Sequence, residues 1–332
     1  MTNLDIDVIG IGNALVDVLT HEEDEFVEEQ GLIKGSMTLI DAARAEDLYS
    51  KMGPATEVSG GSAANTIVGV TAMGGNGAYI GKVRDDQLGA IFAHDMRSMG
   101  LTFDVEPASS GDPTGRCMIL VTPDGQRTMS TYLGASVSLA PDDIDPSLIR
   151  RGKILFLEGY LWDPPHAKAA MRAASELAVD NGQKVALTLS DSFCVERHRD
   201  SFLHLVDNSV DVLFANEAEA LSLFEVDNLE AVYDRAAQSV EIAVITRSEK
   251  GSVVVAGGER VVVAAEPVAK VVDTTGAGDL YASGFLIGLA RGADMATCAR
   301  LGSIAAAEII SHMGPRPEAD LLELVGDLLP PA

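Results

Sequence analysis

Residues 154–247 carry four short apolar runs: ILFLE (154–158), VALTLS (185–190), VDVLFA (210–215) and IAVITR (242–247). Stretches of helical character separate them, near residues 165–180, 196–206 and 216–238. Strands that are apolar on both faces and alternate with helices are typical of a parallel sheet covered by helices on both sides. The sequence therefore predicts an α/β protein with a three-layer body around a mainly parallel central sheet.

The flanking sequence extends this body in both directions. IDVIGIG (6–12) and GAYIG (77–81) read as two more buried strands, and residues 85–99 have helical spacing. Towards the C-terminus we expect a hairpin over 252–263 around Gly257-Gly258, and helices over 277–290 and 295–310.

A second, smaller unit is predicted from a different pattern. RCMILVTPDGQRTMSTYLG (116–134) is a hairpin in which two β-rich runs flank the turn Thr122-Pro123-Asp124-Gly125. Together with the glycine-punctuated segment 17–42, it predicts a small discontinuous β-sheet lid formed by residues 17–42 and 101–133. Residues 1–16, 43–100 and 134–332 are then assigned to the body.

Composition excludes several classes of function. The 332-residue chain has 24 Lys and Arg against 50 Asp and Glu, a formal net charge of −26, which argues against non-specific binding to nucleic acid or anionic membranes. Three dispersed cysteines predict neither a disulfide framework nor a structural zinc site. The N-terminus does not resemble a signal peptide, and no apolar run reaches about 18 residues. We expect a cytoplasmic protein.

Glycine clusters suggest two different ligands. Gly10-Ile11-Gly12 begins like a dinucleotide fingerprint, but Leu15 replaces its third glycine, which disfavours a nicotinamide oxidoreductase. KVVDTTGAGDLYASGFL (270–286) instead places bare glycines before a helix, where free N–H groups form a cradle for an anion. Asp279, in the first turn, is a candidate base, although a carboxylate here also simply complements the helix dipole.

Four motifs in order resemble the ribokinase-like (PfkB) family of carbohydrate and nucleoside kinases. They are GGSAAN (60–65), NEAE (216–219), TRSEKG (246–251) and DTTGAGD (273–279) with SGFL (283–286). The resemblance spans nearly the whole chain and implies an ATP-dependent kinase, with segments 17–42 and 101–133 as the family's lid.

The resemblance also assigns roles to residues. Asp279 is the implied base, and the backbone of Thr275, Gly276, Ala277 and Gly278 the anion hole. Asn216 and Glu219 are implied to organise Mg²⁺ through water, although such a pair is usually just part of a helix surface. The implied ATP-binding residues are Asn216, Thr246, Ser248, Gly251 and Thr275.

Within the family, the N-terminal half resembles the adenosine kinases. The similarity lies in GNALVD (12–17), GLIKGSMTLID (31–41), TGRC (114–117) and EGYLW (158–162). It implies that Asp17 and Asn65 hold the ribose hydroxyls, and a carboxylate can accept from two vicinal hydroxyls. Further candidates for the acceptor site are Asn13, Gly61, Ser62, Met37, Leu39, Tyr160 and Trp162. Arg127 is a candidate for the transferred phosphate.

The acceptor stays open at this stage. Guanosine, inosine, ribose, fructose and 2-keto-3-deoxygluconate are alternatives to adenosine, since aromatic and methionine side chains more often fill cores than contact ligands. A non-catalytic binding relative is disfavoured because Asp279 is retained. The sequence decides neither between monomer and homodimer nor whether a monovalent cation is required. The expected partner is a small molecule, nucleoside or sugar, with no nucleic acid and no membrane.

Overall fold

The computed structural model describes residues 4–331 and contains two sheets. In chain order the strands are β1 (Ile6–Ile11), β2 (Leu15–His21), β3 (Met37–Leu39), β4 (Thr56–Gly60), β5 (Gly77–Ile80), β6 (Thr114–Val121), β7 (Arg127–Gly134), β8 (Gly152–Glu158), β9 (Lys184–Thr188), β10 (Val212–Asn216), β11 (Ile242–Thr246), β12 (Ser252–Ala256) and β13 (Glu259–Val263). The helices are α1 (Asp24–Glu29), α2 (Ala42–Lys51), α3 (Ser62–Ala72), α4 (Gln87–Ser98), α5 (Pro146–Ile149), α6 (Pro165–Asp180), α7 (Ser192–Asn208), α8 (Glu217–Phe224), α9 (Leu229–Ser239), α10 (Ala277–Ala290), α11 (Met295–Ile309) and α12 (Leu321–Val325).

The large sheet forms the body, in the order β13-β12-β11-β10-β9-β8-β1-β5. Its six strands from β11 to β5 are parallel, and β12 and β13 add an antiparallel hairpin at one edge. The strands are buried on both faces: α6 to α9 cover one apolar core, and α3, α4, α10 and α11 cover the other. The predicted three-layer α/β body and the hairpin around Gly257-Gly258 are confirmed.

The small sheet is the lid, in the order β3-β7-β6-β2-β4. The predicted hairpin of β6 and β7 is present, but two boundaries differ from the prediction. The prediction places residues 43–60 in the body, whereas β4 pairs with β2, and α2 packs Ala45 and Leu48 on the lid. It places residues 101–113 in the lid, whereas Thr102 and Ala108 form β-bridges to the body.

The position of β4 could not be predicted from its local sequence. β4 (TEVSG) carries little apolar signal and runs directly into the turn before α3, so it resembles a connection rather than a strand. Its place is determined by pairing with a strand some 40 residues earlier in the chain, which no local pattern records.

The lid is joined to the body at four points. The chain crosses between the two at residues 12–14, 60–61, 109–113 and 134–135. The first crossing leaves from the carboxyl end of β1, so the lid lies over the edge where the parallel strands end. Ligands of open α/β sheets bind at this edge. Within residues 4–331, no helix is both long enough and apolar enough to span a bilayer.

Candidate active site

Asp279 lies where two helices begin. It occupies the first turn of α10, which Gly276 caps in a left-handed conformation (φ 78°). Ser62 Oγ donates to its Oδ1 at 2.6 Å, and Asn65 Nδ2 donates to its Oδ2 at 2.9 Å. Both donors belong to the first turn of α3. Two motifs more than 200 residues apart in the sequence therefore meet around one carboxylate.

The start of α3 requires glycine. Gly61 has φ 101°, and a Cβ there would lie 2.2 Å from the carbonyl oxygen of Asn13. Any side chain at this position would clash with backbone and adopt a strained conformation. Gly61 therefore shapes the turn that delivers Ser62 and Asn65 to Asp279, rather than contributing a functional group itself.

Burial governs the electrostatics of Asp279. Desolvation raises the pKa of this carboxyl, while the hydrogen bonds from Ser62 and Asn65 and the charge of Arg316 act in the opposite direction. A carboxylate with a raised pKa is a stronger base than one in water. The environment therefore suits proton abstraction from a hydroxyl group.

Backbone N–H groups beside Asp279 are free to bind an anion. Within the described chain, no acceptor takes the N–H groups of Gly278 and Asp279. A Cβ added to Gly278 would meet no atom within 4 Å, so open space faces the helix start. Asp273 fixes the preceding turn by accepting from the N–H groups of Thr275 and Gly314, each at 3.0 Å. The geometry forms a cradle for an oxyanion.

Arg127 connects the lid to this cradle. It lies at the start of β7, is 7% exposed, and forms an ion pair with Asp273. Its Nε and Nη1 are buried and have no hydrogen-bond partner in the described chain. A buried guanidinium with unused donors beside an anion cradle is well suited to bind phosphate.

Glu158, which the sequence analysis did not select, organises the loops around Asp279. Its Oε1 accepts from the backbone N–H (3.2 Å) and Nδ2 (2.7 Å) of Asn13, and its Oε2 accepts from the N–H of Ala63 (2.8 Å). Ser136 Oγ donates to Asn13 Oδ1 at 2.9 Å. Asn13, a predicted acceptor-site residue, is thus 2% exposed and held within the protein. A glutamate at the end of the apolar run 154–157 was the available signal.

The burial of the Glu158 carboxyl predicts a pH dependence of the free energy of unfolding. Desolvation raises its pKa from 4.5 to about 7, against the hydrogen bonds from Ala63 and Asn13. Its contribution to stability is therefore fully present below pH 4.5 and is lost as the pH rises through about 7. Between these values, the free energy of unfolding should depend on pH less steeply in Glu158→Gln, by up to ~1.4 kcal/mol per pH unit.

Denaturant unfolding at pH 5.5, 6.5 and 7.5 measures this slope. Glu28→Gln, which removes an exposed carboxylate, is the matched control and should retain the slope of the unmodified chain. Identical slopes for Glu158→Gln and the unmodified chain would contradict the raised pKa, even if the substitution lowers stability at every pH.

Asp17 projects from one face of the lid sheet. Residues paired across neighbouring strands share a face, and the pairing places two rows there: Asp17, Cys117, Thr131 and Leu39 in one, and Leu19, Ile119, Met129 and Met37 in the other. This surface, which we call the lid face, has a carboxylate at the β2 end and, apart from Thr131, no other polar oxygen among these residues. Asp17 accepts no hydrogen bond from the described residues, and desolvation raises its pKa to about 6.

Met37 and Leu39 are the accessible end of the lid face. They are 39% and 49% exposed, whereas Asp17 is 7% exposed. Asn65 Oδ1 is also buried and without a partner in the described chain. The unused polar atoms of Asp17 and Asn65 thus lie at the closed end of the site, and exposed apolar side chains lie at the lid edge.

Tyr160 and Trp162 have different environments. Tyr160 is half-buried near the site, with its hydroxyl donating to the carbonyl oxygen of Ser190 at 3.2 Å. Trp162 is fully buried, packs on Phe202 at 5.8 Å between ring centroids, and donates to Ser201 Oγ. The prediction that Trp162 contacts the acceptor is wrong in this conformation, because its ring belongs to the core between α6 and α7.

The predicted nucleotide residues end neighbouring strands. Asn216 and Thr246 are paired at the carboxyl ends of β10 and β11. Ser248 (φ 51°) and Gly251 (φ 82°) form the tight turn between β11 and β12. These residues lie together on the same edge of the sheet as the carboxyl ends of β1 and β8.

Asn216 and Glu219 also have a structural role. They form a capping box at the start of α8, in which Glu219 accepts from the backbone and side chain of Asn216. In the described residues, no cluster of three His, Cys, Asp or Glu side chains could hold a metal directly. Oxygen donors of this kind fit Mg²⁺ bound through water and substrate phosphates, which is how proteins usually hold that ion.

Comparisons with known proteins show which family the chain belongs to. The family model described as pfkB family carbohydrate kinase matches residues 32–320. The chain is similar to the crystal structure of adenosine kinase from Sinorhizobium meliloti, with 51% identity, a TM-score of 0.91, and 96% of this chain and 98% of that chain covered.

Two further relatives carry different names. A "probable sugar kinase" from Rhizobium etli is 48% identical with a TM-score of 0.91, covering 97% of this chain and 98% of that chain. Adenosine kinase from Saccharomyces cerevisiae is 28% identical over 93% of this chain and 96% of its own length. The chain therefore belongs to the pfkB family of carbohydrate kinases, which are phosphotransferases that act on hydroxyl groups.

Proposed function

We propose that the protein is an ATP-dependent adenosine kinase, which transfers the γ-phosphoryl group to the 5′-hydroxyl of adenosine and gives AMP and ADP. The observation that carries the proposal is the lid face. Its carboxylate end suits two vicinal ribose hydroxyls, and its exposed apolar end, with Met37 and Leu39, suits a flat base. The similarity to adenosine kinases supports the same acceptor.

The polar groups then divide between the two parts of the acceptor. The ribose hydroxyls donate to the free oxygens of Asp17, and Asn65 Oδ1 accepts a further hydrogen bond. The base lies along the apolar end of the lid face, with Tyr160 on the body side. This arrangement places the 5′-hydroxyl towards Asp279, whose other neighbours are Ser62 and Asn65.

Transfer requires alignment and one proton acceptor. As the 5′-oxygen forms its bond to the γ-phosphorus, the bond from that phosphorus to the bridging oxygen breaks and ADP leaves with the electron pair. The hydroxyl proton passes to Asp279. The N–H groups of Gly278 and Asp279 and the guanidinium of Arg127 stabilise the charge on the phosphoryl oxygens.

Mg²⁺ would be held by the ATP phosphates and, through water, by Asn216 and Glu219. The ion supplies neutralisation of phosphate charge. The base of ATP is expected near Thr246, Ser248 and Gly251, which form the turn at the end of β11.

A sugar kinase is the second candidate, favoured by the similarity to the Rhizobium etli protein. A sugar such as ribose or fructose, or the acid 2-keto-3-deoxygluconate, would also use Asp17, Asn65 and Asp279. It would, however, leave the exposed apolar side chains of Met37 and Leu39 without a ligand. Adenosine uses the whole face.

A panel of acceptors tests the choice. With ATP and Mg²⁺, adenosine should have a higher kcat/KM than ribose, fructose or 2-keto-3-deoxygluconate, with guanosine and inosine as tests of the base. In a thermal-shift assay, an acceptor at 100 times its Kd should stabilise the protein by ~2.7 kcal/mol. Faster turnover of a simple sugar than of any nucleoside would reject the nucleoside assignment and leave the kinase assignment intact.

A further inference from the structure

Arg316 is a half-buried cation that neither the motifs nor the roles above account for. It follows the loop Met313-Gly314-Pro315, which packs against the start of α10: Gly314 donates to Asp273, and Pro315 lies beside Gly276. This loop therefore places Arg316 next to the start of α10, beneath the candidate active site.

The guanidinium connects the loop to the lid. Its Nη2 donates to the Ser59 carbonyl oxygen at 2.5 Å and lies 3.0 Å from Ser59 Oγ. Ser59 is on β4, which pairs with β2, the strand that carries Asp17. The Nε and Nη1 of Arg316 are buried and have no hydrogen-bond partner in the described chain.

The charge of Arg316 faces the acceptor carboxylates without being paired to them. Its strongest electrostatic neighbours are Asp17, Asp95 and Asp279, followed by Tyr79, and desolvation lowers its own pKa to about 10. Among described residues, no carboxylate forms an ion pair with it. A cation placed in this way compensates two desolvated carboxylates, one buried and one half-buried, while their oxygens stay available to a substrate.

We propose that Arg316 is a positioning residue for the acceptor: it holds β4 against the body through Ser59, and it supplies the positive charge that faces Asp17 across the site. The inference rests on the proposed function only in assigning Asp17 to the hydroxyls of the acceptor. It applies to any acceptor with vicinal hydroxyls, so it does not depend on adenosine.

Asp17 has other charged neighbours, which the experiment must separate from Arg316. Arg127 on β7 also favours its ionised form, Asp279 on α10 disfavours it, and the Cys117 thiol lies beside it on β6. Arg127 is already paired with Asp273. Asp279 titrates in the same site, so its carboxyl must be removed before the titration of Asp17 can be read.

The test measures acceptor binding against pH in an Asp279→Asn background. Calorimetry without ATP, between pH 5 and 8.5, gives the Kd of the best acceptor from the panel. Affinity for the acceptor should fall at low pH, as Asp17 is protonated, and the midpoint is the pH at which this fall is half complete. Adding Arg316→Gln should raise the midpoint by about 1 pH unit or more. At pH values below both midpoints, affinity should be about tenfold lower for each pH unit by which the midpoint rises, and it should recover at high pH. Arg316→Lys keeps the charge and should keep the midpoint.

Two controls distinguish this from a folding defect. Arg291→Gln removes a guanidinium that also donates to backbone, to the carbonyl oxygens of Pro330 and Gly74, at the far end of α10. This end lies roughly 18 Å from Asp279 along the helix, and the substitution should leave the midpoint unchanged. ATP affinity should change less than about twofold in all variants.

The outcomes are separable. A pH-independent loss of affinity in Arg316→Gln, with the midpoint unmoved, would overturn the proposal and leave Arg316 as a structural contact to Ser59. An equal rise of the midpoint in Arg316→Gln and Arg291→Gln would overturn it as well. If the panel instead rejects nucleosides, the proposed function fails, but the midpoint can still be measured with the sugar that binds.

Discussion

Asp279→Asn should lower kcat by at least about 100-fold in a protein that remains folded, because positioned proton transfer contributes roughly 10²–10⁴-fold. The substitution removes the basic oxygen and keeps the shape of the side chain. The Ser62 hydroxyl can reverse its role and accept from the new amide, so both hydrogen bonds of Asp279 have a counterpart. The helix start loses one favourable charge, worth only ~0.3–1 kcal/mol of stability.

Single-turnover phosphoryl transfer, with ATP binding by calorimetry, measures the effect. Asp294→Asn is the matched control, since Asp294 caps α11 by accepting from the N–H of Thr297 and asparagine caps equally well. It should retain full activity. Near-normal transfer by a folded Asp279→Asn would show that Asp279 only complements the dipole of α10 and that the base lies elsewhere.

Asp17→Ala should weaken kcat/KM for the acceptor by about 2–4 kcal/mol, or roughly 30- to 900-fold. The physical reason is that the acceptor hydroxyls lose their partner in a site from which most water is excluded, since Asp17 is 7% exposed. The KM for ATP should change little, because the residues proposed to bind ATP lie at the ends of β10 and β11 on the body.

Steady-state rates measured while the concentrations of acceptor and ATP are both varied separate the two KM values. Glu57→Ala, on the neighbouring strand β4, removes a lid carboxylate that accepts from Tyr49 and serves as the control. If Asp17→Ala raised the KM for the acceptor and the KM for ATP by the same factor, the cause would be a disturbed fold rather than a lost ribose contact.

The elements that the sequence predicted are those with a strong local pattern. Buried parallel strands are apolar along their whole length, and turns such as Thr122-Pro123-Asp124-Gly125 carry their own residue preferences. The same holds for the start of α10, where glycines and a carboxylate precede an apolar helix. These signals require no knowledge of distant contacts.

The residues that the sequence did not predict depend on long-range contacts. Arg316 forms a hydrogen bond with Ser59, which is 257 residues away in the sequence. Glu158 forms one with Asn13, which is 145 residues away. The sequence around Arg316 does not indicate Ser59, and the sequence around Glu158 does not indicate Asn13. Tyr160 and Trp162 make the same point, since they are two residues apart and yet one borders the site and the other fills the core. Side-chain direction after a strand end depends on the packing of helices that follow much later.

We expect the four crossings between body and lid to constrain how a bound substrate leaves. A lid attached to the body by one segment could rotate in any direction. This lid is attached at residues 12–14, 60–61, 109–113 and 134–135, so it has to rotate about a common axis, with changes in backbone dihedral angles at every crossing. The contact between Arg127 and Asp273 must break in the same movement. Such concerted swings fall in the microsecond-to-millisecond range and often limit turnover in enzymes. Solvent viscosity should therefore slow steady-state turnover more than it slows a single phosphoryl transfer.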